Sequence, residues 1–121
     1  MAFGLRHLVS LGVLAPLVAG GCTDRVELGR QLYARHGCAV CHGPAGRGNG
    51  PAARTLSPPP RDFAEAGHDT QASSEEAIAG SIRNGVRTMP PFRDFSADEA
   101  RLLAAWIVSL RKSGESSGAG R

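Results

Sequence analysis

Two cysteines and a histidine stand close together in the sequence Cys38-Ala39-Val40-Cys41-His42. The Cys-x-x-Cys-His spacing is typical of c-type haem attachment. Thiols three residues apart lie about one helical turn from each other, so each can form a thioether with a haem vinyl group. The next residue then directs its imidazole at the iron. The motif therefore predicts one covalent haem c on Cys38 and Cys41, with His42 as the proximal axial ligand.

Three other chemistries could use the same residues. A thioredoxin-like redox pair belongs in a βαβ context, and no strand pattern precedes this motif. A zinc site would require a further ligand at a familiar spacing, and the sequence holds no second cysteine pair beside His36, His42 and His68. A plain disulfide would leave His42 without a role. Haem attachment is the interpretation that uses all three residues.

Met89 is the first candidate for the sixth iron ligand. It is the only methionine after the leader, and it is followed by Pro90 and Pro91, which favour a stiff loop. A methionine more commonly fills a core, but the loop position favours ligation here. His68 is the second candidate and His36 the third. Thioether ligation raises the iron's potential relative to bis-histidine ligation, which suits an electron relay.

Three stretches carry helical patterns, and none shows a strand-like alternation. The first spans residues 24–36, with Asp24 and Glu27 spaced as a capping box and Gly37 as its end. The second spans residues 73–85, where Ser73 and Glu76 repeat that spacing.

The third helical pattern follows Ser96, which is paired with Glu99 as another capping box. Apolar residues recur in it at i, i+3 and i+4, which predicts one wide buried face; they are Leu102, Leu103, Trp106, Ile107 and Leu110. Residues 43–67 are rich in glycine and proline and predict an ordered loop. Residues 113–121 predict a flexible tail.

The first 21 residues differ from the rest. Arg6 and His7 precede an apolar run of eleven residues, 8–18, which is too short to span a membrane. This pattern predicts a secretory signal peptide and hence export to the periplasm. The stretch Ala19-Gly20-Gly21-Cys22 resembles a bacterial lipoprotein box, so Cys22 is a lipidation candidate. The alternatives are a free thiol at Cys22 in a soluble periplasmic protein and an uncleaved leader that acts as a weak anchor.

Composition limits the size and the partners of the molecule. Only 19 large apolar side chains follow the leader, which predicts one domain over residues 22–112 and a thin core that requires a cofactor. Without the leader the net charge is +2, because Arg6 is the one charged residue removed. The basic residues are scattered, so nucleic-acid binding is not supported.

Over residues 26–112 the sequence resembles the class I cytochromes c. The motif at Cys38 and the pair Met89-Pro90 are similar to that family's haem attachment and distal ligand. Gly29 and Tyr33 match its Gly-x-x-x-aromatic pattern on the N-terminal helix, and Leu103 and Trp106 match the Leu-x-x-aromatic pattern of its C-terminal helix. The resemblance implies an all-α fold in which three main helices and the Gly/Pro-rich loop surround one haem, and the two terminal helices cross closely.

The resemblance also implies further contacts of the haem. Gly50-Pro51 is similar to the family's Gly-Pro pair, whose carbonyl accepts the proximal imidazole's proton, so Pro51 is expected to orient His42. The resemblance does not assign the haem propionate partners, because the connection from Pro58 to Gly67 is compact. Three arginines are candidates, of which we expect one to act: Arg54, Arg61 and Arg87.

Together these features predict a periplasmic electron carrier that is not itself an enzyme and exchanges electrons with donor and acceptor proteins. With His42 and Met89 both bound, the iron has no open position for a substrate. Two alternatives remain. The first is the haem c subunit of a membrane-associated respiratory oxidoreductase complex; the second is a sensor in which Met89 gives way to a small gas.

Overall fold

The computed structural model describes residues 21–65 and 73–118. These residues form four α-helices and one short 3-10 turn: α1 (Gly21–Arg35), α2 (Ala39–His42), the turn Ala53–Thr55, α3 (Glu75–Asn84) and α4 (Ala97–Gly118). In the described part of the chain the only β pairing is an isolated bridge between Val86 and Met89. The predicted all-α fold is confirmed.

Helices α1 and α4 cross at Gly29. A Cβ atom at this position would lie 2.1 Å from the carbonyl oxygen of Leu102 and 2.9 Å from the Cβ of Trp106. Only glycine therefore allows the two backbones to approach this closely. The rings of Tyr33 and Trp106 pack one helical turn further along, with centroids 4.3 Å apart. The expected contact between the terminal helices is present.

The start of α1 differs from the prediction. The helix begins at Gly21 rather than after Asp24, so Asp24 lies within its first turn and does not cap it. The Glu27 carboxylate accepts hydrogen bonds from Arg30 and Gln31 instead of reaching back to the helix start. The predicted end is right, because Gly37 adopts a positive φ of 70° just after the helix.

Helix α3 begins one residue later than its pattern suggested. Ser74, not Ser73, occupies the N-cap position, and its hydroxyl accepts a hydrogen bond of 3.1 Å from the Ala77 amide. Two adjacent serines can both serve as caps, so the sequence alone did not separate them. Gly85 ends the helix as predicted, with a φ of 77°.

The capping box at the start of α4 is complete. The Glu99 amide donates to the Ser96 hydroxyl at 3.1 Å, and the Ser96 amide donates to the Glu99 carboxylate at 3.0 Å. The helix continues to Gly118, so much of the predicted tail is helical. The hydroxyl of Ser113 donates back to the Ser109 carbonyl, which satisfies this polar side chain within the helix. Residues 119–121 lie outside the described part of the chain.

The core lies between α1, α3 and α4. It consists of a few large side chains and several alanines: Leu32, Tyr33, Ala79, Ile82, Phe95, Ala100, Leu103, Ala104, Trp106 and Ile107. Within residues 21–65 and 73–118, no helix is long and apolar enough to cross a membrane. The predicted signal peptide, apart from Gly21, lies outside the described residues.

Candidate functional site

One cavity of about 530 Å³ opens beside the core, within the usual range of about 300–1,000 Å³ for small-molecule sites. Four of the residues singled out in the sequence line it: Cys38, Cys41, His42 and Met89. Its walls also include apolar side chains of the helices, such as Ile82, Leu103 and Ile107. The fold thus brings two thiols, an imidazole and a thioether to a single apolar space.

Helix α2 presents the two thiols. After the bend at Gly37, the His42 amide donates to the Cys38 carbonyl at 2.9 Å and the Cys41 amide donates to the same oxygen at 3.3 Å. This single turn directs both cysteines to the cavity. Both are half-buried and free, with no disulfide between them. Burial raises the pKa of Cys38, so its thiol stays protonated at neutral pH.

A buried tyrosine connects the motif to α1. The Tyr33 hydroxyl donates a 2.5 Å hydrogen bond to the carbonyl of Gly43, the residue after His42. Burial raises the pKa of Tyr33, and nearby Cys38 and Cys41 act in the same direction. The phenol therefore remains a neutral donor, and it fixes the end of α2 against the longer helix.

The His42 imidazole is half-buried and contacts the loop that follows the proline run. Its Nδ1 lies 3.4 Å from the carbonyl oxygen of Arg61. The ring of Phe63 stacks on it, with centroids 4.5 Å apart and planes inclined by 23°. Burial lowers the pKa of His42, although the contact with Arg61 acts in the opposite direction. A neutral imidazole has a free ring nitrogen, which is the form that binds a metal.

The Gly50-Pro51 pair packs against the motif, but in this structure the hydrogen-bond partner of the His42 imidazole is the Arg61 carbonyl and not this pair. The Gly50 amide donates to the Cys41 carbonyl at 3.0 Å. A Cβ at Gly50 would lie 2.3 Å from the carbonyl oxygen of Val40, so the approach is tight. The role of Pro51 in orienting His42 stays a prediction. Arg61 takes the position of acceptor here, and the sequence could not indicate it because every residue has a backbone carbonyl.

Met89 lies in a short, firmly held loop after α3. Backbone hydrogen bonds join Val86 and Met89 in both directions, at 2.9 and 3.1 Å. A Cβ at Gly85 would lie 2.9 Å from the Met89 carbonyl oxygen, so the turn has no space for a side chain there. The Phe92 amide donates to the Ile82 carbonyl at 2.9 Å and fixes the loop to α3. The partly buried Met89 side chain packs on the core and lines the cavity.

The other candidate ligands are not brought to the cavity in the described part of the chain. His36 is exposed, and its ring packs on Phe95 with centroids 4.2 Å apart. His68 lies outside the described residues. Among residues 21–65 and 73–118, no group of three or more histidines, cysteines or acidic residues could hold a metal ion.

Arginines occupy part of the cavity wall. Arg61 and Arg87 line it and Arg54 does not, which leaves two of the three predicted propionate partners in place. A third arginine was missed: Arg111 of α4 lines the cavity and donates to the backbone carbonyl of Ser73. The sequence could not indicate Arg111, because a helical pattern does not show which turn of the helix reaches the cavity.

A family model described as cytochrome c oxidase, cbb3-type, subunit III matches residues 24–107. This range includes the Cys38 motif and Met89, and it extends from α1 into α4. A search of curated proteins found no match.

Proposed function

Because the chain belongs to this family of c-type cytochrome domains and thus carries covalently bound haem c, we propose that Cys38 and Cys41 attach the haem and that His42 and Met89 bind its iron. Haem-based electron transfer is the function that follows from the family. The observation that carries the assignment of residues is that all four side chains line one cavity.

The residues present fit the group. Two free thiols one helical turn apart match two vinyl groups, and a neutral imidazole and a thioether are both ligands that iron accepts in cytochromes. When bound, the haem supplies a one-electron couple between ferrous and ferric iron. If His42 and Met89 both hold the iron, no position would remain for a substrate, and the haem would relay electrons rather than convert a substrate.

The protein's own contribution is to hold this environment rigid and dry. Tyr33 fixes the end of α2, and the Val86–Met89 hydrogen bonds fix the opposite loop. Apolar side chains of α3 and α4, among them Ile82, Leu103 and Ile107, line the cavity and would shield a bound haem from water. A rigid, low-dielectric site changes little between oxidation states, which favours fast electron exchange.

Cysteine substitutions test the attachment directly. We expect the double variant Cys38→Ala/Cys41→Ala to lose covalently bound haem, because it removes both thioethers. The measurement is haem staining after denaturing electrophoresis, together with the pyridine haemochrome spectrum. Cys22→Ala is the matched control and should retain the wild-type signal. Haem that stays covalently bound in the double variant would contradict the proposal.

We further propose that the chain is exported and acts on the periplasmic side, since haem is joined to this motif outside the cytoplasm. Residues 1–21 supply the export signal, and lipidation of Cys22 would confine the protein to a membrane surface. Mass spectrometry of the mature N-terminus tests this point. A mature protein that begins with a diacylated cysteine is expected, and an unmodified Cys22 would exclude the lipid anchor.

A second candidate role is that of haem subunit in an oxidoreductase complex. The description of the matching family, as a subunit of an oxidase, favours this possibility. Both roles use the same site and differ in whether the chain works alone. Purification from the native membrane discriminates them: stoichiometric co-purification with other polypeptides indicates a subunit, and a free monomer indicates an independent carrier.

A further inference from the structure

The loop of residues 60–63 packs directly on the proximal side of the cavity. It makes two contacts with His42: the Arg61 carbonyl oxygen lies 3.4 Å from Nδ1, and the Phe63 ring stacks on the imidazole at 4.5 Å. The first contact restrains the ring at its edge and the second at its face. Together they restrict rotation of the imidazole about its bond to Cβ.

The position of this loop is fixed by a second loop, residues 43–48, which follows the motif. The Phe63 amide donates to the Gly46 carbonyl at 2.7 Å, and the Gly48 amide donates to the His42 carbonyl at 2.8 Å. A Cβ at Gly46 would lie 2.7 Å from the Phe63 ring, and one at Gly48 would lie 2.5 Å from the Pro60 carbonyl oxygen. Both glycines have positive φ, of 68° and 71°. The two loops therefore meet without room for side chains between them.

We infer that Arg61 and Phe63 are the positioning residues of the proximal ligand: the Arg61 carbonyl accepts the Nδ1 proton of His42, and the Phe63 ring sets the plane of the imidazole. This inference rests on the proposed function, in which His42 binds the iron. It assigns to the loop of residues 60–63 the role that the family resemblance gave to Pro51.

The two contacts have a chemical consequence for the iron. A hydrogen bond accepted from Nδ1–H makes the imidazole a stronger electron donor, which favours ferric iron and lowers the reduction potential. The orientation of the imidazole plane also determines how unpaired electron density spreads over the haem in the ferric state. The loop of residues 60–63 would thus adjust the potential without touching the metal.

Proton NMR of the reduced, diamagnetic holoprotein identifies the acceptor. We expect the Nδ1 proton of His42 to show nuclear Overhauser effects to the backbone protons of Arg61 and Asp62. Effects to Pro51 and Ala52 in their place would overturn the assignment. If the proposed function itself is wrong, the protein will lack a c-type haem spectrum altogether, so the two failures are distinguishable.

Substitution of Phe63 tests the second half of the inference. In Phe63→Leu the flat contact is lost, so we expect the haem-methyl resonances of the ferric protein to shift and the midpoint potential to rise. Phe63→Tyr retains the ring and should restore the wild-type pattern. Leu28→Ala, at an exposed apolar residue of α1 outside the cavity wall, is the control and should leave the methyl pattern and the potential unchanged. A wild-type methyl pattern and potential in Phe63→Leu would overturn this role. If Phe63→Leu does not fold, the NMR experiment on the wild-type protein still tests the Arg61 contact.

Discussion

At the scale of single residues, the site depends on side chains whose protonation suits their task. Burial keeps the Cys38 thiol protonated and the His42 imidazole neutral, because both environments disfavour the charged form. The imidazole can therefore bind iron without first losing a proton at neutral pH. Met89 has no charge to titrate, and its loop holds it against the cavity.

The distal ligand gives the sharpest prediction at this scale. Met89→Ala should abolish the weak near-infrared sulfur-to-iron charge-transfer band, because the thioether sulfur is its source. Met89→His should keep a six-coordinate iron and lower the reduction potential, since imidazole replaces the thioether. Optical spectroscopy and a redox titration measure both effects. Thr88→Ala, which alters the neighbouring residue, should retain the band; survival of the band in Met89→Ala would rule out Met89 as the ligand.

Among the residues of the site, those with distinctive side chains were predictable from the sequence and those that act through the backbone were not. The Cys38 motif and Met89 could be predicted to share a site because few residue types bind haem, and they line one cavity. The acceptor at Arg61 uses a carbonyl that any residue would supply. Arg111 reaches the cavity through the packing of α4 on the other helices, which is a tertiary feature and not a local one.

At the scale of elements, the crossing of α1 and α4 organises the fold. Local signals predicted it well: Gly29 leaves the required space, and the Ser96–Glu99 box fixes the start of α4. Other element ends were less determined. Ser73 and Ser74 compete for the same cap, and the polar residues after Lys112 suggested a tail although the helix continues through them.

Two glycine-to-alanine substitutions, one at the helix crossing and one away from it, test the close contact between α1 and α4. Gly29→Ala should destabilise the protein by roughly 1–3 kcal/mol or more, because the new Cβ would overlap the Leu102 carbonyl. Gly80→Ala should stabilise it by up to about 1 kcal/mol, since this helical position has nothing within 4 Å of a Cβ. Denaturant unfolding of the holoprotein measures both. Equal effects of the two substitutions would contradict the proposed close contact.

At the scale of the whole molecule, the cofactor completes the core. The buried cluster contains few large side chains and includes three alanines, and the cavity lies directly beside it. A group that binds only the folded state stabilises that state. The haem thus explains both the small number of large apolar residues in the sequence and the cavity in the structure.

Removal of the haem should therefore unfold the domain. We expect the variant Cys38→Ala/Cys41→Ala, purified without haem, to lose most of its helical circular dichroism and to melt without a cooperative transition. The wild-type holoprotein is the reference, and Cys22→Ala should match it. A compact haem-free protein with a sharp thermal transition would show that the polypeptide core suffices.

The charge distribution predicts how the molecule meets its partners. Three exposed arginines near Met89 form no salt bridge within the described residues: Arg83, Arg87 and Arg93. Val86, in the same stretch of the chain, is 48% exposed. The surface formed by these arginines and Val86 therefore combines positive charge with an exposed apolar side chain. A partner with an acidic surface would be attracted to it, most strongly at low salt.

Small inorganic oxidants test this electrostatic prediction without an identified partner. Oxidation of the reduced protein by ferricyanide should slow as ionic strength rises, and Arg83→Gln/Arg93→Gln should reduce the low-salt rate by about 2-fold or more. Stopped-flow absorbance is the measurement. Arg30→Gln is the control, because Arg30 already pairs with Glu27 at 2.6 Å. A rate that is independent of salt in the wild type would argue against a positive electron-exchange surface.

We propose that one covalent haem is bound by His42 and Met89 and carries electrons. A spectroelectrochemical titration of the purified wild-type protein tests it most directly, with the pyridine haemochrome recorded on the same sample. We predict a c-type haemochrome, a low-spin spectrum with the sulfur-to-iron band in the ferric state, and a single reversible one-electron transition. A haemochrome without the c-type band, or an iron centre that does not cycle reversibly, would contradict the account.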